Sequence, residues 1–168
     1  RTRSLDAFRS ESYRQAFSHQ TAWSVANLGR MKNCMRRVCA VVAETGVGTG
    51  AFLAVLRFGQ PAGAGDIEAL CEEGRSLQRR DGIIATRLLV PDATLSSPLP
   101  AEKSEGRVLD PILLIEATSE AVVRDAVQQV KRNAGATGEI SVLNMMWHLT
   151  ESDLAAVRVS ESVEGLCG

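Results

Sequence analysis

Five polar side chains stand at positions of one parity within four apolar, strand-like runs: Arg57, Arg87, Glu116, Asn144 and His148. Side chains of an extended chain alternate between two faces, so residues of one parity share a face. The residue types suit proton-transfer chemistry on an anion. His148 titrates near neutrality and can move a proton, with Glu116 orienting it or acting as base. Arg57 and Arg87 would clamp an anionic ligand, with Asn144 as a further polar contact. Apolar lining with a few convergent polar groups is what a ligand pocket is made of. A structural reading competes. Arg57 or Arg87 pairs with Glu116 across strands, and His148 makes a hydrogen bond at a subunit interface.

Positioning these residues requires a sheet. Residues 52–58 alternate as a strand, and a turn-rich loop follows at 59–65. Asp66 can cap a helix carrying Ile67, Leu70, Cys71 and Leu77, weakened by Gly74 and ended by Asp81-Gly82. Residues 83–90 form a second strand, 111–117 a third and 140–149 a fourth. Between the third and fourth, Ser119 caps a helix with Val122, Val123, Ala126, Val127 and Val130 on one face, stopped by Gly135. The order is strand-helix-strand twice. Two right-handed crossovers joined antiparallel give an α+β, ferredoxin-like β-α-β-β-α-β sheet with two helices on one face. In this topology the first and third strands are central neighbours, which brings Arg57 toward Glu116 and places Arg87 near Glu116. The helix-facing set is Phe52, Ala54, Leu56, Phe58, Ile84, Thr86, Leu88, Val90, Leu113, Ile115, Ala117, Leu143, Met145, Trp147 and Leu149. The opposite set adds Leu53, Val55, Ile83, Ala85, Leu89, Ile112, Leu114, Val142 and Met146 to the five polar residues. It is too apolar to face water, so a second unit is expected to cover it.

The flanks are less regular. Residues 5–19 read as helical. Met31, Cys34, Met35, Val38, Cys39 and Val42 fit helical spacing, yet residues 38–42 equally read as a short buried strand. The expected division is therefore an N-terminal helical or linker segment 1–45, a half-barrel 46–159 that ends in a short helix at 151–159, and a loose tail 160–168. Residues 91–107, with Pro91, Pro98 and Pro100, form a polar loop expected to be mobile and to lie over the barrel mouth. The chain opens Arg1-Thr2-Arg3-Ser4, which is expected of a chain cut from a longer one.

Composition narrows the classes. Apolar residues make up 45% of the 168, enough to build a core, and aromatics only 4%, so that core is aliphatic. Net charge is −1, but residues 1–45 hold eight Lys/Arg against three acids. That arm lacks a basic run with interleaved aromatics, and no nucleic-acid partner is expected. No apolar run is long enough for a membrane span, so a cytoplasmic protein with reduced thiols is expected. The four cysteines form no C-x-x-C pair and the two histidines lie far from them in sequence, so no metal is expected. Gly46-Val47-Gly48-Thr49-Gly50 precedes a strand and is followed by no lysine, unlike a phosphate loop. No Gly-x-Ser-x-Gly elbow is present. A lone His148 could ligate haem, but a histidine in an apolar strand is more often structural, and no cofactor is expected.

The element order and face chemistry over residues 50–150 resemble the dimeric α/β-barrel superfamily. Phe58-Gly59, the cap at Asp66 and the end Asn144-Met145-Met146-Trp147-His148 fit that layout. The segment with Ser12-Tyr13-Arg14 and Thr21-Ala22-Trp23 is similar to the region joining tandem barrel units in longer bacterial proteins. The resemblance implies two sheets paired face to face, from a homodimer or a tandem unit. Members include cofactor-free monooxygenases, lactone isomerases, haem-binding enzymes and stress-responsive barrels, and fold alone does not choose among them. The expectation is a small-molecule-binding barrel, acting as a cofactor-independent oxygenase or isomerase in its cavity. The alternative is a non-catalytic interaction module whose open face is only a subunit interface.

Overall fold

A computed structural model describes residues 5–32, 34–99, 102 and 105–146. A 3-10 turn at Leu5–Arg9 leads into two short helices, α1 (Glu11–Ser18) and α2 (Ala22–Leu28). Each opens on a hydroxyl cap: Ser10 Oγ accepts from the Tyr13 N–H and Thr21 Oγ1 from the Ser24 N–H. Then follow β1 (Cys39–Gly46), β2 (Phe52–Arg57), α3 (Ala64–Gln78), β3 (Ile83–Pro91), β4 (Ile112–Ala117), α4 (Glu120–Ala134) and β5 (Ile140–Asn144). Within the ambiguous segment 31–45, residues 34–38 are irregular and the strand runs from Cys39 to Gly46, so the strand reading holds over its later part. β1 crosses the boundary placed at residue 45 and belongs to the sheet.

The five strands form one antiparallel sheet in the order β1-β3-β4-β2-β5. Both long helices pack on one face of it. α4 presents Val123, Ala126, Val127 and Val130 to the sheet, is capped by Ser119 and stops at Gly135, whose φ of 61° is left-handed. α3 begins two residues before Asp66. Its N-cap is Gly63, which has no side chain to offer, and Asp66 Oδ2 accepts the Gly63 N–H at 2.9 Å from inside the first turn. Gly74 has a packing reason: a Cβ there would stand 3.0 Å from Thr86 Oγ1 on β3. The core is aliphatic, built around Leu56, Leu77, Leu88, Leu113, Ile115, Val123 and Val130, all fully buried.

Two departures from simple alternation change which residues share a face. In β3 the pairing with β4 shifts between Ile83 and Ala85. Ile83 therefore lies opposite Ala117 and joins the core, and Ile84 occupies the bulge. In β5 the register puts Ile140, Val142 and Asn144 opposite Leu56, Ala54 and Phe52. The even residues of β5 thus face the helices, and Ser141 and Leu143 lie on the open side. The face assignment read from the sequence is inverted along this strand, because β5 pairs on one side only and its own alternation is weak.

The open face is ordered in three rows. Val41, Leu89, Ile112 and Arg57 form the first; Glu44, Arg87, Leu114, Val55 and Ser141 the second; Ala85, Glu116, Leu53 and Leu143 the third. No helix among the described residues packs on it. Replacing Leu113 with Ala should lower unfolding free energy by about 2–5 kcal/mol. Leu143→Ala, at a site 49% exposed, should change it by less than about 0.5 kcal/mol in dilute solution. Urea titration of both variants checks the β5 register.

Candidate functional site

Two ion-paired clusters occupy the open face, one at each end. At the first, Arg87 reaches to Glu44 within its row and to Glu116 in the next. Its Nε donates to Glu44 Oε1 at 2.8 Å and its Nη1 donates to Glu116 Oε1. The other oxygen of Glu116 accepts the Gly50 N–H at 2.8 Å. Gly50 lies so close to β4 that a Cβ would stand 2.5 Å from Ala117 N and 2.6 Å from its carbonyl oxygen. The glycine run is thus the tight link from β1 to β2, and one of its amides feeds a buried carboxylate.

At the other end, Arg57 Nε donates to Asp110 Oδ1 at 3.2 Å, Nη2 donates to the same oxygen, and Gly59 N–H donates to Oδ2 at 2.9 Å. Asp110 is 1% exposed. Burial pushes its carboxyl up, but hydrogen bonds from Arg57 and Gly59 outweigh that and hold it below the usual range.

A third cluster lies beside Arg57, where the chain before β1 meets the loop before β4. Glu102 accepts from Arg37 Nη1, from Arg107 Nε at 2.9 Å, and from the backbone N–H groups of Arg36 and Leu99 at 3.1 and 3.2 Å. Burial raises its pKa, but these four donors prevail and lower it to about 2. Ser96, 1% exposed, ties the same loop to Val38 through both its N–H and its carbonyl. The described part of the loop read as mobile is therefore fastened to residues 36–38 by buried polar contacts. Between this anchor and the sheet lies a cleft of about 430 Å³, bounded by Val55, Arg57 and Ser141 on the sheet side.

The polar residues singled out from sequence are dispersed. Arg87 and Glu116 meet. Arg57 does not approach Glu116: it lies opposite Ile112, four residues along the strand pair from Leu53, which faces Glu116. That is roughly 13 Å at the rise of an extended strand. Asn144 lies on the helix side, opposite Phe52, and so does not join the open-face set. His148 lies outside the described residues, as do residues 151–168. Glu44, Asp110, Glu102, Arg37 and Arg107 were not singled out. Glu44 was within reach, since a strand continued to residue 46 brings an acid beside Arg87. The others lie in irregular chain, where no period marks a face. No group of three metal-ligating side chains occurs among the described residues. Comparison with protein-family models and with curated proteins finds no match to this chain.

Three substitutions test these clusters. A low-pKa carboxylate contributes stability that is present above its ordinary value near 4.3 and lost as pH falls toward 2. Glu102→Gln should therefore destabilise at pH 7 by on the order of 3 kcal/mol, with the gap to wild type closing between about pH 5 and pH 2; unfolding curves across that range test it. Gly50→Ala should cost about 1–3 kcal/mol by backbone overpacking, and Glu116→Gln about 2–4 kcal/mol by breaking a buried pair. Denaturant midpoints read both, and for Glu116→Gln a loss of up to about 5 kcal/mol is in range.

Proposed function

We propose that this chain is one half of a paired α/β barrel, a ferredoxin-like unit whose open sheet face meets a second copy or a second unit of the same kind. The observation that carries this reading is the state of that face. Its ionisable residues are bonded to one another, as Glu44–Arg87–Glu116 and Arg57–Asp110, and what remains is apolar apart from Ser141. Val41 and Leu143 are 40% and 49% exposed, and Leu53, Val55, Leu89 and Leu114 are half-buried between them. The run β3-β4-β2-β5 with two helices on one side supports the ferredoxin-like assignment. Covering the apolar rows at about 25 cal/mol per Å² favours association. The polar groups then set register: a slipped partner would have to bury Arg87 against aliphatic side chains.

A second reading has its own support. The cleft beside Arg57 opens on the same face and has the size of a metabolite site. Small-molecule binding there, with or without turnover, is compatible with pairing. It moves the site away from Glu116, both of whose oxygens are engaged, toward Arg57 and the Glu102 cluster.

Sedimentation velocity tests the pairing. At roughly 50 µM, well above the Kd of about 1 µM that a standard-size interface readily reaches, the wild type should sediment as a dimer. Leu143→Lys should be mainly monomeric, with the denaturant midpoint that the wild type shows when diluted well below that Kd. A wild-type monomer at that concentration overturns the reading. Native mass spectrometry and absorbance of freshly purified protein test for a retained ligand.

A further inference from the structure

The chain between α1 and β1 is tied down at both ends by one side chain. Arg36 Nη1 donates to the carbonyl oxygens of Leu95 and Ser97 at 2.8 and 3.0 Å, which fixes it to the body. Its Nη2 donates to Tyr13 Oη at 2.8 Å, and its guanidinium lies 4.7 Å from the centre of the Phe17 ring. α1 is thereby held against residue 36, and Arg9 adds an ion pair to Asp92 at 3.6 Å. The residues between these ties, 18–35, form an arm that carries α2.

The arm is apolar where it meets water. Trp23 is 75% exposed, and Val25, Met31 and Met35 are exposed as well. No residue of α2 is buried. A helix of two turns draws its stability from packing, and tryptophan carries a large apolar area. The arm also leaves from the side of the open sheet face: Cys34 and Met35 line one cleft with Val55 and Ser141 of the sheet. A partner seated on that face therefore meets the base of the arm.

The open face alone is small for a stable dimer. Five strands about 4.8 Å apart and three rows about 7 Å apart give a footprint of roughly 500 Å². A standard interface takes about 800 Å² from each partner. One tryptophan supplies about 150–250 Å² of the difference, and Val25, Met31 and Met35 add to it. Charge agrees with this contact. Residues 22–35 hold Arg30 and Lys32 and no acid. Glu105 and Glu139, in the cleft beside the open face, are exposed and make no side-chain hydrogen bond or ion pair among the described residues.

We infer that the arm is a second contact element of the pair: Trp23 of each copy seats on the open sheet face of the other, with Arg30 and Lys32 toward its Glu105 and Glu139. The inference rests on the pairing reading and extends it from one surface to two. Because Arg36 holds both ends of the arm, the arm arrives ordered, which lowers the entropy lost on association.

Two measurements test it. Sedimentation velocity over a dilution series gives the dimer Kd of the wild type and of Trp23→Ala. A photo-crosslinking p-benzoylphenylalanine placed at position 23, in a mixture of isotopically light and heavy chains, reports what the arm touches. Trp23→Ala should raise the Kd at least about tenfold, with an unchanged unfolding midpoint in dilute protein. Gln128→Ala, at an exposed position of α4 on the helix side, should leave the Kd as it is. Crosslinks should join light to heavy chains and fall on open-face residues such as Leu53, Leu114 and Leu143. A wild-type dimer whose Kd changes by less than about twofold in Trp23→Ala overturns the arm contact and leaves pairing intact. Crosslinks confined to one chain, or to the helix side of the other, do the same. A wild-type monomer at roughly 50 µM overturns the pairing reading and the arm contact with it. An unchanged Kd together with lost binding to anionic phospholipid vesicles in Trp23→Ala would assign the arm to a lipid surface and overturn the inference.

Discussion

The Glu116 carboxylate joins three stretches of chain that are far apart in sequence. It sits on β4, accepts from Arg87 on β3, and accepts the amide of Gly50 at the entry to β2. Through Arg87 the same network reaches Glu44 on β1. Such a cluster is costly to bury, and each charge is tolerable only because the others are present. That mutual need fixes where β1 lies against β3 and how closely the glycine link passes over β4. A hydrophobic substitution of equal volume would seal the face as well but would set no register.

The same face shows why a polar residue in a strand is weak evidence of catalysis. A general base needs a free lone pair within reach of substrate. Glu116 has given both oxygens to structural donors, and Arg57 has turned to Asp110. The acids that line the cleft without a partner among the described residues lie instead in irregular chain, at Glu105 and at Glu139 just before β5. This is the usual division of labour: strands supply a rigid floor, and the segments that leave them supply chemistry.

The helices and the central strands were legible because their signals agreed at every level. α4 has a serine cap, an aliphatic stripe and a terminal glycine, and it is found where these place it. Residues 113, 115 and 117 alternate into the core as expected. Legibility failed where pairing, not sequence, decides the face. Ile83 and Ile84 are the same residue type, so nothing local says which enters the bulge. In β5, Val142 and Leu143 are equally apolar, and only hydrogen bonding to β2 on one side chooses Val142 for the core, which carries Asn144 to the helix side. The Glu102 cluster was invisible for a different reason. Its partners lie some 65 residues apart, in segments without a period, and ion pairs of that kind leave no trace in hydrophobic pattern.

The sheet and the wall of the cleft are held by different sets of contacts. The sheet rests on aliphatic packing against α3 and α4, with the Glu44–Arg87–Glu116 and Arg57–Asp110 pairs on its open face. One wall of the cleft rests on a single carboxylate that collects four donors, with Ser96 fastening the same loop to Val38. Protonating Glu102 removes the acceptor that Arg37 and Arg107 share and leaves two guanidinium groups facing each other with less to hold them. The loop before β4 would then loosen while the five strands persist, so the wall of the cleft is a local unit able to open below the free energy of global unfolding.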